Sequence, residues 1–370
     1  MIDQKETLLQ VIGNFLLDGT VEDVYPYGSG HINDTYRLVM RQSGGTRRYI
    51  LQRMNDSIFT NPVGLMENIV NVTSFLRKKI IEKGGDPERE TLNIVPARDG
   101  KSYYKSQDGS YWRIYLFVEG TTSFDRVEKQ DDFYQSAVSF GNFQRLLSDF
   151  PAQILHETIP NFHNTVDRYA KFQEAVKLDP LSRAQSAEPE IRFIEAREAE
   201  THILCDKLAR GELPLRVTHN DTKLNNILID NATGKGICVI DLDTVMPGLV
   251  LNDFGDSIRF GASTAAEDET DLSKVSCDLE LFEVYVRGFL AGCGGSLTEA
   301  EISMLATGAK LMTLECGMRF LTDYLLGDSY FKIHRENHNL DRCRTQLKLV
   351  ADMEEKWQEM EAIVARCSKQ

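Results

Sequence analysis

Residues 216–241 restrict the fold more than any other stretch. Arg216-Val217-Thr218-His219 reads as a strand, 220–225 as a polar loop, 226–230 as a second strand, 231–234 as a turn and 236–241 as a third strand. Helical periods surround this β unit, over 131–147 and 189–210 before it and over 298–326 and 340–367 after it. The front of the chain reads differently: 24–28, 35–40, 49–54, 102–105 and 111–117 are strand-like, with turns at Gly44-Gly45 and Asp108-Gly109. One helix interrupts them, opened by Asn61 as cap and Pro62 at its first position and running to about residue 83. At 370 residues the chain exceeds what one core usually supports. The expectation is an α+β chain with a strand-rich part over 1–117, a hinge over 118–124 and a mainly helical part over 125–370.

A formal charge of −14 argues against nucleic acid as a partner, because phosphate backbones are bound through Lys/Arg surfaces. No run of about 18 apolar residues reads as a membrane span, and Met1 to Glu6 has no basic stretch leading into an apolar one, so a cytoplasmic protein is expected. The seven cysteines are scattered, with no C-x-x-C pair, and imply neither a disulfide framework nor a zinc site. No long coiled-coil heptad calls for a partner subunit, so a monomer is expected. The polar stretch 261–273 reads as a loose loop.

The polar loop carries His219, Asp221 and Asn226 in the order H-x-D-x-x-x-x-N, the spacing of a phosphoryl-transfer catalytic loop. Asp221, just past a strand end, has the type and place of a base that orients an acceptor hydroxyl and takes its proton. Lys223 suits neutralisation of the moving phosphate. Asn226 offers an amide oxygen to Mg²⁺. Asp241, at the end of Ile237-Cys238-Val239-Ile240, is the principal metal carboxylate, with Asp243 as a second contact. Alone, each Asp or Asn would read as a turn residue bonding its own backbone; the combination and its order favour chemistry. His219 reads as structural, bonded to backbone.

The front strands offer places for a nucleotide. Gly28-Ser29-Gly30 lies between two strands, where bare backbone amides can face phosphates, although a Gly-Ser-Gly turn alone is more often only a hairpin. The third strand should carry a cation paired with an acid on the next helix. Arg53 or Gln52, with Glu67, are the candidates, and the Lys expected there is absent. Arg53 and Gln52 point to opposite faces, so only one looks toward the nucleotide. Phe117 and Val118, leading into the hinge, complete the nucleotide-binding set. Asp253 caps a helix or anchors the catalytic loop from beneath. Glu315, Arg319 and Asp323, at i, i+4 spacing, predict an intrahelical salt-bridge ladder.

Val217 to Asn226, with Val239-Ile240-Asp241-Leu242-Asp243-Thr244-Val245-Met246-Pro247-Gly248, resembles the aminoglycoside phosphotransferase and choline kinase superfamily. Within it, the residues are most similar to the bacterial kinases that phosphorylate N-acetylglucosamine and N-acetylgalactosamine at the anomeric hydroxyl. Gly30-His31-Ile32-Asn33-Asp34-Thr35, Ile50 to Asn55 and Gly317-Met318-Arg319-Phe320 extend the resemblance over nearly the whole chain. It implies a bilobal protein-kinase-like fold, ATP and Mg²⁺, and a small sugar as acceptor. It makes Asp221 the base on the C1 hydroxyl, Asp241 the main Mg²⁺ ligand with Asn226 beside it, and Asp253 the buried support of the loop. It also implies that Arg319 contacts the sugar, that Phe260 and Tyr330 wall its site, and that Asn33 reaches it. Aromatic walls suit the apolar face of a sugar.

Two other readings compete. Asp241-Leu242-Asp243-Thr244-Val245 also resembles the D-x-D-x-T motif of haloacid dehalogenase-type phosphatases, in which Asp241 would become a covalent aspartyl phosphate. A non-catalytic nucleotide-binding regulator is the other, suggested by the absent Lys. The motifs specify only a hydroxyl, so aminoglycoside, choline, homoserine and methylthioribose acceptors stay open.

Overall fold

Side-chain alternation decides the first sheet. In the computed structural model, which describes residues 4–28, 32–127 and 129–369, helix α1 (Gln4–Ile12) precedes an antiparallel meander of β1 (Thr20–Pro26), β2 (Asp34–Gln42) and β3 (Gly45–Arg53). Helix α2 (Pro62–Glu82) follows, its first turn capped by Asn61 Oδ1 accepting from the Gly64 amide. Then come β4 (Ile94–Val95), β5 (Tyr104–Lys105), β6 (Tyr111–Leu116) and β7 (Thr121–Thr122). The sheet order is β1-β2-β3-β6-β4, with β5 also on β6, antiparallel throughout. One face buries Tyr36, Leu38, Met40, Tyr49, Leu51, Trp112 and Ile114 against Leu8, Val11 and Ile12 of α1. Because strand side chains alternate, the other face receives Thr35, Gln52 and Arg113, which stand opposite one another on β2, β3 and β6.

The chain packs as two compact units. The first comprises the described residues of Met1–Thr122 with Ile154–Ile159 and Leu228–Met246; the second comprises Ser123–Gln153, Pro160–Ile227 and Pro247–Gln370. After β8 (Arg216–Thr218) of the second unit, the hairpin of β9 (Ile227–Asp230) and β10 (Gly236–Val239) continues into Asp241-Leu242-Asp243. Residues 228–246 thus group with the front sheet, through β7 pairing with β9, so the packed units are not the two continuous segments expected from the sequence.

The second unit is helical. It contains α3 (Gln130–Leu146), α4 (Thr165–Leu178), α5 (Glu188–Glu195), α6 (Glu198–Thr201), α7 (Ile203–Ala209), α8 (Val250–Gly261), α9 (Leu279–Cys293), α10 (Glu299–Ser303), α11 (Leu305–Leu326), α12 (His338–Glu355) and α13 (Trp357–Cys367). The helices expected over 189–210, 298–326 and 340–367 are each broken, at Ala196–Arg197 and His202, at Met304 and at Lys356. Glycines let two helix pairs approach closely. A Cβ on Gly141 would stand 2.3 Å from the Phe289 carbonyl oxygen across α3 and α9, and one on Gly255 would stand 2.4 Å from that of Gly308 across α8 and α11. The stretch 261–273 is tied down rather than loose: Thr264 bonds Lys274 and Ser276, Arg259 pairs with Glu267, and Thr345 Oγ1 donates to the Glu269 carbonyl. No described helix is long and apolar enough to cross a membrane.

Candidate active site

The catalytic loop is organised from below by one face of α8. Asp253, Asp256 and Ser257, at i, i+3 and i+4, lie on a single stripe of this largely buried helix. Asp253 Oδ2 accepts from the His219 amide at 2.9 Å and from Gln144 Nε2 at 2.9 Å, while Oδ1 accepts from the Asn220 amide at 2.8 Å. Burial pushes the Asp253 carboxyl above its ordinary pKa, against these donors, which favour its charge. Asp256 Oδ2 accepts from the Thr222 amide and its Oδ1 pairs with Arg259 at 2.8 Å. Ser257 Oγ donates to the Thr222 carbonyl and accepts from Tyr285 Oη.

This scaffold holds Asn220 in the left-handed region (φ 65), directly before the half-buried Asp221. Asn tolerates that conformation better than most residues. His219 is fully buried against the Phe140 and Phe143 rings, and its Nδ1 accepts from the Asp221 amide at 3.3 Å. Lys223 Nζ lies 2.8 Å from Asp221 Oδ1, and Asp221 foremost, then Asp256, hold the ammonium above its ordinary pKa. Asn226 Nδ2 donates to the Asp221 carbonyl at 2.8 Å and to Oδ2 at 3.2 Å.

In the first unit, Asp241 follows β10 in the left-handed region (φ 58) and is exposed. Asp243 is buried instead. Its Oδ1 lies 2.5 Å from Arg113 Nη1 and its Oδ2 accepts from Asn33 Nδ2 at 2.6 Å. Asn33 Oδ1 in turn accepts from the Asn55 amide, so both ends of the Asn33 amide bond protein. Gln52 Oε1 accepts from Arg113 Nε and Nη2 at 3.0 and 2.9 Å, and Gln52 Nε2 donates to Thr35.

Gln52 therefore shares the face of Arg113 and Asp243, whereas Arg53 lies on the opposite face, half exposed, bonded to Ser110 and 3.8 Å from Asp34. Glu67 does not pair with either; its Oε2 lies 2.6 Å from His156 Nε2 at the surface. The neighbouring Asn68 is the buried residue on that helix, donating to the Val245 and His156 carbonyls. Gly28 takes φ 84, as its turn requires, while Ser29 and Gly30 lie outside the described residues. Phe117 packs edge-on against Tyr27 and beneath Arg48, and Val118 is buried.

The expected ladder along α11 does not form. Glu315 Oε1 lies 2.9 Å from His163 Nδ1, and Asp323 accepts from the Ser329, Tyr330 and Phe331 amides and from Asn339. Arg319 is left among rings, 5.0 Å from the centroid of Phe162, 5.4 Å from Phe331 and 5.9 Å from Tyr330. Arg168 lies near enough to lower its own pKa partly through Arg319, after burial. His163 Nε2 and Glu315 Oε2 are buried with no hydrogen-bond partner among the described residues. Tyr330 is 60% exposed, and Phe260 is half-buried in the last turn of α8.

Arg113, Asp256, Ser257 and His163 were not singled out from sequence, and Glu315 was read only as a member of the α11 ladder. The i, i+3, i+4 stripe on α8 was the available signal for Asp256 and Ser257; Arg113 and the His163–Glu315 pair depend on residues 61 and 152 positions away.

The chain matches a family model described as "APH: Phosphotransferase enzyme family" over residues 23–275. Solved structures share the fold at low identity. An aminoglycoside phosphotransferase from Alicyclobacillus acidocaldarius superposes with a TM-score of 0.59 at 14% identity, covering 97% of this chain and 96% of its own. A choline kinase from Cryptosporidium parvum gives 0.58 at 13%, covering 97% and 98%, and a microcompartment-associated aminopropanol kinase gives 0.56 at 16%, covering 97% and 99%. The matched segment holds the catalytic loop, the metal motif and the α8 stripe, and the chain belongs to the APH phosphotransferase family, a group of small-molecule kinases with a protein-kinase-like α+β fold.

Proposed function

We propose that this phosphotransferase uses ATP and Mg²⁺ to phosphorylate the anomeric hydroxyl of an N-acetylhexosamine. The observation that carries the reading is the loop in which Asp221 is held by Asn226, paired with Lys223 and underpinned by α8. Asp221 accepts the C1 hydroxyl proton as the sugar oxygen bonds the γ-phosphorus and the bond to the bridging oxygen of ADP breaks. Lys223 offsets charge on the transferred group. On the nucleotide side, Asp241 presents its carboxylate; among the described residues no cluster of three His, Cys, Asp or Glu forms a metal cage. That donor set fits Mg²⁺, which commonly takes one or two carboxylates together with substrate phosphates. Bound there, the ion would supply charge neutralisation on the phosphate oxygens.

Arg319 bears on the acceptor. Choline, aminoglycosides and aminopropanol are cations, and a guanidinium seated among Phe162, Tyr330 and Phe331, with Arg168 nearby, disfavours them. A neutral sugar can stack on these rings. The test is ADP release across N-acetylhexosamines, choline, aminoglycosides, homoserine and methylthioribose, followed by NMR location of the phosphate. The expected product is an N-acetylhexosamine 1-phosphate, with Asp221→Asn lowering kcat by about 10²–10⁴-fold. Turnover with cationic acceptors alone would refute the sugar assignment; a phosphorylated Asp241, or sugar-dependent ADP production undiminished in Asp221→Asn, would refute the mechanism.

A further inference from the structure

The cation expected on the third strand stands on the sixth. Arg113 is 1% exposed and enclosed on every side that the structure describes: Gln52 Oε1 takes its Nε and Nη2, Asp243 takes Nη1, the Met54 and Met66 sulfurs lie 3.7 and 3.9 Å from Nη1, and the Tyr115 ring lies 5.1 Å from its centre. Strand register explains the arrangement, since Gln52 faces Arg113 across β3 and β6 and Thr35 faces Gln52 across β2 and β3. A polar row thus crosses three strands and ends on Asp243. A side chain 1% exposed has almost no surface at which to meet a phosphate. What it can do is fix Asp243, and Asp243 lies in the single 3₁₀ turn, Leu242–Thr244, that follows Asp241.

We infer that Arg113 is a positioning residue for the metal carboxylate: by clamping Asp243 from the sheet, with Asn33 clamping its second oxygen, it holds the turn that keeps Asp241 in its left-handed conformation. The clamp meets Asp243 from two sides, an ion pair to Arg113 at 2.5 Å on Oδ1 and a hydrogen bond from Asn33 at 2.6 Å on Oδ2. Both partners are nearly free of solvent, 1% and 4% exposed, so the pair is poorly screened and geometrically fixed. Left-handed backbone at a non-glycine residue persists only where its surroundings over-determine it, and the Arg113 ion pair and the Asn33 hydrogen bond on Asp243 supply that constraint two residues away. Arg113 therefore takes over the ordering duty at the metal carboxylate without touching the nucleotide.

This inference rests on the Mg²⁺–nucleotide reading above, and its test separates the two. A non-hydrolysable ATP analogue is titrated calorimetrically into the full chain with and without Mg²⁺, and the ratio of the two affinities measures metal coupling. Arg113→Met is expected to reduce that ratio by about 10–100-fold, the usual effect of losing an outer support of a metal ligand, with Mg²⁺-free affinity unchanged. Arg113→Lys, which keeps the charge but not the fork to Gln52, is expected to fall between. If Arg113→Met does not fold, Arg113→Lys carries the test alone with the same direction of change. A ratio unchanged or increased in the variants overturns the inference, an increase meaning that Arg113 only competes with the ion for Asp243. A wild-type chain with no metal coupling overturns the Mg²⁺–nucleotide reading itself, and this inference with it.

Discussion

Replacing Asp253 asks whether α8 sets the catalytic loop or merely lies beneath it. Its carboxylate receives three donors from buried residues: the His219 and Asn220 amides and Gln144 Nε2. In Asp253→Ala the two backbone donors lose their acceptor in a site with almost no water, at about 1–3 kcal/mol each. Against that, removing a carboxyl whose burial already raises its pKa recovers part of its desolvation. The balance is a loss of about 3 kcal/mol. Asp253→Asn is more informative. An amide oxygen in the Oδ2 position keeps both the His219 and Gln144 bonds, but its NH₂ then confronts the Asn220 N–H, so one donor is lost, or about 1–3 kcal/mol. The expected stability order is wild type, Asn, Ala, read by urea unfolding and linear extrapolation. Because the Asn220 amide immediately precedes Asp221, both variants should also misplace the base and lower kcat by roughly 10²-fold with little change in acceptor KM. Asp253→Asn with wild-type stability and wild-type kcat would refute the argument, since the one donor that it must lose would then be shown to organise nothing.

Gly255→Ala should destabilise the second unit by about 1–3 kcal/mol despite alanine's better helix propensity, because its Cβ meets the Gly308 backbone oxygen at 2.4 Å; a raised Tm would contradict this. Asp230, held down to a pKa of about 2 by Arg89 and then Thr233, contributes stability that is present above its unfolded value and lost as pH falls through about 4 to 2. The pH dependence of unfolding should therefore be shallower in Asp230→Asn over that window, and identical curves would count against the Arg89 pairing. Arg319→Ala should raise the N-acetylhexosamine KM by roughly tenfold or more and relax discrimination against cationic acceptors; unchanged discrimination would remove Arg319 from the acceptor site.

What sequence made legible was what lies close together in sequence. His219, Asp221 and Asn226 occupy one loop, and the spacing alone marks them, because their bonds to one another are local: Asn226 reaches Asp221 across five residues. The front strands were legible because alternation is a local property, and so was the cap at Asn61. Alternation also established that Gln52 and Arg53 face opposite ways, but not which face receives Asp243; that needs the β3–β6 pairing and the return of the β9–β10 hairpin. The ladder on α11 failed for a related reason. Its i, i+4 spacing is real, yet tertiary partners compete for each acid, His163 for Glu315 and the 329–331 amides for Asp323.

Those competing partners explain why the two kinds of site residue differ in kind. A base as proposed for Asp221 needs only to be held, and the loop around it is fixed by local and helix-borne hydrogen bonds. An acceptor site must leave groups unsaturated, because a ligand gains affinity and selectivity only from bonds the protein has not already made. In the acceptor site proposed around Arg319, Asp323 is spent on the 329–331 backbone and Glu315 Oε1 on His163, and neither forms an ion pair with Arg319. The same logic separates Asp241 from Asp243. Asp243 is consumed by Arg113 and Asn33, and in the proposal above that consumption fixes the turn that carries the exposed Asp241.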